Sequence, residues 1–317
     1  MGRLHGPVVG GVVQIDQRVK FRKEVQSGLF YPWSNVLYVD GTDGSDDYSG
    51  RGPSDAKATI QAAVTAASRG DIIYARPLEA ESDYSDVGKY AEVVTVPLAT
   101  YNLSMIGIQN SKSPNYGVKM RQNTALSYCL DVYAPGFNLE NFCLQKGGTG
   151  EGGLRLRGAD APAYNAEAGS CGATIYNVTF RYAKLLIEGG YASIIDACTF
   201  ENIDEYAFDL SSSVNPARRH KLLNSYFLAN NGTAVSKTNI RVVSTTTDFV
   251  IDHCWFDIIP GNSRYMVADA GLKGMMANCE FLSADVSMGT SAKHITVPTT
   301  FRVVNCFDES GTMIART

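Results

Sequence analysis

One phrase returns at least six times in this 317-residue chain: a short apolar run, then Asn or Asp, then Phe a few places on. It reads Ile175-Tyr-Asn-Val-Thr-Phe180, Ile195-Asp-Ala-Cys-Thr-Phe200, Leu223-Asn-Ser-Tyr-Phe227, Ile251-Asp-His-Cys-Trp-Phe256, Ala277-Asn-Cys-Glu-Phe281 and Val304-Asn-Cys-Phe307. A repeat of about 20 to 29 residues, each copy holding one β-type run and one polar turn, cannot bury its apolar face alone and must stack on its neighbours. The chain therefore reads as an all-β solenoid.

A second pattern lies inside the repeat. Cys198, Cys254, Cys279 and Cys306 share one phase, with Val178 and Ser225 at that place in other copies. Equivalent positions of stacked parallel strands lie about 4.8 Å apart, so one inward position becomes a ladder of small side chains. Seven cysteines without a CxxC pair fit buried free thiols in a reducing compartment better than disulfides. No histidine shares their phase, and a column does not present zinc with tetrahedral angles. Asp196 and Asp252 are assigned the phase of Asn177, Asn224, Asn278 and Asn305, as turn residues whose side chains bond the next coil's backbone.

Composition narrows the partners. With 44% hydrophobic and 19% charged residues and a net charge of -4, the chain suits stacked β-structure and offers no basic face for nucleic acid. No run of 18 apolar residues argues for membrane insertion, and Met1-Gly-Arg-Leu-His-Gly6 lacks the apolar core of a secretory leader.

Residues 1–35 do not carry the repeat and are expected to form an arm, with 36–317 as the solenoid domain. Phe30, Tyr31 and Trp33 are the arm's candidate interface anchors, since exposed aromatics often bury against partners. Next, Val36-Leu-Tyr-Val39 runs into an Asp- and Gly-rich loop. Asp40, Asp43 and Asp46 are its candidate metal ligands, with calcium the ion that suits such oxygen density; a calcium hand would want Glu where the chain has Arg51. Ile60, Ala63, Val64 and Ala67 recur at helical spacing, with Thr59 as N-cap and Gly70 as stop. Asp71–Arg76, Ala91–Val96 and Leu103–Ile108 read as strands.

The succession of the Tyr38-Val-Asp-Gly41 loop, Thr59-Ile-Gln61, Gly70-Asp71, Glu92-Val-Val94 and Met105-Ile-Gly107, followed by the repeat, resembles the right-handed parallel β-helix proteins of the pectate-lyase-like superfamily. The resemblance implies a single-stranded right-handed parallel β-helix whose short N-terminal helix caps the open end of the solenoid. It is weak for function, because that superfamily holds lyases, hydrolases, viral tailspikes and non-catalytic virion proteins.

A lyase of this class needs carboxylates and a nearby cationic base projecting from neighbouring coils. Asp204 and Asp209 are the candidate acids and Arg218 and Lys221 the candidate bases, beside the polar excursion of residues 211–221. No paired carboxylates, Ser-His-Asp set or nucleotide fingerprint stands out, and His253 is expected on the surface. The last residues, Phe307 to Thr317, show no capping helix, which is read as an end covered by another subunit. Together these features favour a non-enzymatic phage virion protein, a capsid decoration or tail appendage. It is expected to be homotrimeric, joined to other virion proteins through its arm and assembled in the host cytoplasm, with no cofactor. The alternative is a lyase or glycoside hydrolase acting on host surface polysaccharide.

Overall fold

The computed structural model describes residues 34–78, 89–108, 117–122, 127–147, 152–157, 171–203, 206–211, 217–228, 238–243, 246, 248–257, 264–268, 271–282, 287–288 and 294–316. The arm expected over residues 1–35, with Phe30, Tyr31 and Trp33, lies almost wholly outside them.

Among the described residues the strands form an 18-stranded and a 9-stranded sheet. The larger one holds two columns of parallel pairs. Face one runs from Val36–Val39 through Ile72–Ala75, Ser104–Gly107, Asn138–Glu140, Thr174–Tyr176, Ile194–Asp196, Lys221–Leu223, Phe249–Asp252 and Gly274–Ala277 to Phe301–Asp308. Face two runs from Val118–Arg121 through Phe142–Gln145, Thr179–Arg181, Thr199–Glu201, Tyr226–Leu228, Trp255–Asp257 and Glu280–Phe281 to the end of Phe301–Asp308. Face three, the 9-stranded sheet, stacks Val94–Val96, Leu130–Val132, Gly153–Leu156, Lys184–Ile187, Tyr206–Ser211, Thr238–Val243, Arg264–Ala268, His294–Thr296 and Ser287–Met288. From Ser104–Gly107 onward the chain visits faces one, two and three in turn, which makes the unit a parallel β-helix.

The repeat becomes the core by register. On face one Leu37, Ile73, Met105, Leu139, Ile175, Ile195, Leu222, Ile251, Met276 and Val303 form a buried row. On face two the rings of Phe180, Phe200, Phe227, Phe256 and Phe281 stack at centroid spacings of 4.8, 4.7, 4.7 and 4.8 Å. The coil height set by backbone hydrogen bonding is about 4.8 Å, which equals a good offset-stacking distance for aromatic rings.

The turn between faces one and two is two-residue-like and needs one left-handed residue. Asn177, Ala197, Asn224, His253, Asn278 and Asn305 hold it, with φ of 51°, 53°, 46°, 51°, 52° and 52°. Asparagine visits this region at least cost among residues with a Cβ. The expected phase is corrected here: Asp196 pairs in register with Tyr176 and Leu223, so it stands one place before the left-handed residue, as does Asp252. The polar ladder also runs from side chain to side chain. Asn177 Nδ2 donates to Asn141 Oδ1 at 2.7 Å, Asn224 to Asp196 at 2.8 Å and Asn278 to Asp252 at 2.9 Å. The last copy of the repeat is corrected too. Three places after Asn305 comes Asp308, not Phe307; Phe307 pairs with Glu280 and faces outward.

All seven cysteines are free and buried. In the inward row beside the turn, Cys254 Sγ donates to Asp252 O at 3.5 Å and Cys306 Sγ to Val304 O at 3.4 Å. Ser225 Oγ makes the same bond to Leu223 O at 2.7 Å. Burial pushes the Cys198 thiol up to about 12, so that thiol stays protonated.

The ends are closed differently. The helix α1, Ile60–Ala66, buries Ile60, Ala63 and Val64 in the core. Thr59 Oγ1 accepts from Ala62 N, as an N-cap should. Gln61 Oε1 accepts from Thr95 N at 2.8 Å, pairing an edge amide of the first face-three strand. The helix stops at Ala66 with Ala67 extended, four residues before Gly70, whose φ of 78° serves the following turn instead. At the other end Met313–Arg316 folds back antiparallel on Phe301–Asp308. The end expected to be bare on this edge is thus paired by the chain's own last strand. Asp308 fixes that hairpin by accepting from Ser310 N and Thr312 N.

Candidate functional site

On face three, side chains alternate in and out along each strand. The outward position between two inward apolar residues forms one row: Asp131, Arg155, Leu186, Asp209, Arg241 and Val267 in register. Four of these six are charged. Because the strands stack in parallel register, the charged groups are brought together on neighbouring coils whatever the length of loop between them.

Asp131 sits between two guanidinium groups. Arg155 donates to both its oxygens at 2.9 and 2.6 Å, and Arg157 does so at 2.9 and 3.1 Å. Burial pushes the Asp131 carboxyl up, but the hydrogen bonds and charges of Arg155 and Arg157 outweigh it and hold the pKa below the usual carboxylate value. Arg157 Nη1 lies 3.7 Å from Glu188 Oε2, which balances the second arginine. Ring faces support the cations: Arg155 lies 4.9 Å from the Tyr128 centroid and Arg157 5.2 Å from that of Tyr133.

Two coils beyond Arg155, Asp209 is gripped by Arg241, with Nε to Oδ1 at 2.9 Å and Nη2 bonded to Oδ2. The Asp209 side chain is only 1% exposed. Arg241 in turn lies 3.8 Å over the ring of Tyr206. Burial lowers the pKa of Arg241, and the Asp209 hydrogen bond and charge raise it by more, so the guanidinium stays cationic.

Of the acids and bases expected to act together, Asp209 lies in this row and Asp204 falls outside the described residues. Arg218 and Lys221 are exposed at the start of the next face-one strand, where the backbone N–H of Arg218 donates to Gly190 O, while the Asp209 carboxylate bonds the Arg241 side chain. Asp131, Arg155, Arg157 and Arg241 were not singled out in the sequence. Their signal is the triplet apolar–charged–apolar: Leu130-Asp-Val132, Leu154-Arg-Leu156, Phe208-Asp-Leu210 and Ile240-Arg-Val242.

The Asp-rich loop is committed elsewhere. Asp40 accepts from Thr42 N and Asp43 N and bonds Arg76 Nη1 at 2.7 Å. Asp43 stands 3.4 Å from the same Arg76 atom. Asp46 accepts from Ala58 N and Thr59 N at 3.0 and 2.9 Å, anchoring the entry to α1. Asp40 and Asp43 thus share Arg76 while Asp46 holds the entry to α1, and among the described residues no group of three or more His, Cys, Asp or Glu is arranged to hold a metal ion.

No protein-family model and no curated protein matches the chain. Solved structures do. Pectin methylesterase from Aspergillus niger aligns over 89% of this chain and 88% of its own, with a TM-score of 0.51 at 14% identity. Rice weevil pectin methyl esterase aligns over 98% and 90%, with a TM-score of 0.51 at 12% identity. Alginate lyase from Paenibacillus aligns over 80% and 94%, with a TM-score of 0.50 at 10% identity. At such identities the likeness is one of architecture, and it shows the fold of this chain to be the right-handed parallel β-helix.

Proposed function

We propose that this chain is a non-enzymatic structural protein of a phage particle, a capsid decoration or tail appendage, trimeric and attached through residues 1–35. The observation that carries the reading is the state of the two outward carboxylates of face three, Asp131 and Asp209. A general acid must hold a proton near neutral pH, and a base or nucleophile must present a free lone pair to substrate. Asp131 accepts four guanidinium bonds and has a lowered pKa, and Asp209 is buried against Arg241. Such groups clamp adjacent coils together instead. The exposed Val304 and Met313, 44% and 60% accessible, supply apolar surface for subunit contact at the C-terminal hairpin.

Two experiments test the reading. The purified protein is expected to sediment as a trimer, and removal of residues 1–35 to abolish its attachment to particles while leaving the β-sheet circular dichroism unchanged. On pectic, alginate and capsular polymers it is expected to release neither reducing ends nor unsaturated uronate. Turnover that disappears in a folded Asp209→Asn variant overturns the proposal in favour of polysaccharide cleavage.

A further inference from the structure

Face two changes character along the solenoid. In the middle coils its outward positions include Thr179, Thr199 and the Arg181–Glu201 ion pair, 3.2 Å apart. In the later coils they become aromatic and acidic. Tyr226 is 44% and Trp255 39% exposed, and their rings lie 6.1 Å apart on consecutive coils. Glu280 is the register partner of Trp255, and Asp257 follows Trp255 two places along the same strand. At the turn leading into this strand His253 is held by Asp252, Nδ1 to Oδ1 at 3.0 Å, with its side chain 61% exposed. That bond directs the ring and leaves Nε2 for a ligand hydroxyl.

We propose that this surface binds a glycan built from amino sugars carrying free, protonated amines. A pyranose has an apolar C–H face that stacks on an aromatic ring, and hydroxyls at its rim that bond to polar side chains. Tyr226 and Trp255 offer two such rings, fixed one coil apart on a rigid sheet, and His253 stands at the rim. The charge around them selects the sugar. Asp257 and Glu280 attract an ammonium, which also gains from the ring faces, and they repel the carboxylate of a uronate. A lysine-rich peptide matches the charge but lacks a C–H face at each repeat. The proposal stands independently of the virion reading, because a particle protein and a free one would bind in the same way.

Trp255 is one of two tryptophans, so a Trp33→Phe background makes its fluorescence the reporter. Titration with a glucosamine hexamer is expected to give a saturable blue shift. The N-acetylated hexamer should bind at least about fivefold more weakly, as loss of one exposed cation–π and ion-pair contribution implies. Oligogalacturonate should give no saturable change. In calorimetry on the natural chain, Trp255→Ala should weaken binding about tenfold or more and Glu280→Gln about threefold, both side chains being exposed and the fold retained. The proposal is overturned by no saturable response to the glucosamine hexamer, by equal affinity for its N-acetylated form, or by Trp255→Ala and Glu280→Gln variants that bind as well as the parent. Tighter binding of a lysine peptide than of the hexamer also overturns it and assigns the face to a protein partner.

Discussion

The inward and outward sides of the same strands obey different rules. In Tyr226–Leu228, Phe227 points inward and stacks at 4.7 Å on both Phe200 and Phe256, whereas Tyr226 points outward and is 44% exposed. In Tyr206–Ser211, Phe208 and Leu210 are buried in the core while Asp209 between them faces Arg241. The inner side is nearly uniform from coil to coil because each residue must match the residue above and below it. The outer side has no such constraint, so its chemistry varies coil by coil: ion pairs on face three, aromatics and acids on the later part of face two. Uniformity therefore reports architecture, and departures from it report what the surface contacts.

The largest expected effect comes from the inner side. Phe227→Ala empties the middle of the ring stack and should cost about 3–5 kcal/mol in urea unfolding. A cost within about 0.5 kcal/mol, which is what Tyr226→Ala on the outer side should show, would erase the distinction between the two sides.

The face-three clamp comes next and marks an exception to the rule that outward positions are tolerant. Arg241→Ala strands the buried Asp209 carboxylate and should cost about 3 kcal/mol. Asp209→Asn in the same background should recover part of that loss. Without such recovery, the coupling between the two residues is not electrostatic.

A titration probes the corner between faces three and one. His220 is 0% exposed, its Nδ1 accepting from Ser193 N at 3.3 Å and its Nε2 lying 3.1 Å from Gly190 O. Burial lowers its pKa to about 4 from an ordinary 6.5. Above 6.5 the ring is neutral in both folded and unfolded chains and gives no pH dependence. As pH falls from 6.5 towards 4 the unfolded chain takes up the proton first, so stability drops, by up to roughly 3 kcal/mol. A His220→Gln variant should lack this share of the acid sensitivity; an unchanged slope between pH 6.5 and 4 would refute it.

The smallest effect expected is at the thiol row. Cys279→Ser copies what Ser225 already does at the same phase two coils earlier, and should change stability by about 1 kcal/mol or less. In the native protein Cys198, with its thiol raised to about 12 by burial, should resist alkylation until the chain unfolds.

This contrast also explains what could be seen in the sequence. The Phe and Cys rows were legible because the inner constraint repeats one residue type at each coil. The phase of Asp196 and Asp252 was misplaced by one residue, since the left-handed slots there hold Ala197 and His253, and carboxylates in the preceding position mimic the Asn ladder. Phe307 looked like a further inward Phe because Asn305-Cys-Phe307 is one residue shorter than the other copies. The Asp131 and Asp209 clamps escaped notice for a different reason. Asp131 and Arg155 are 24 residues apart and Asp209 and Arg241 are 32, so loop lengths scatter a row that only the register brings together.

The central proposal is that the chain is a structural component of a phage particle, and the most direct measurement is the protein content of purified phage particles. The account predicts that the chain is found in them in copies that are a multiple of three, and that it is lost from them when residues 1–35 are removed. A chain that remains monomeric and absent from particles, while releasing fragments from a polysaccharide, would contradict it.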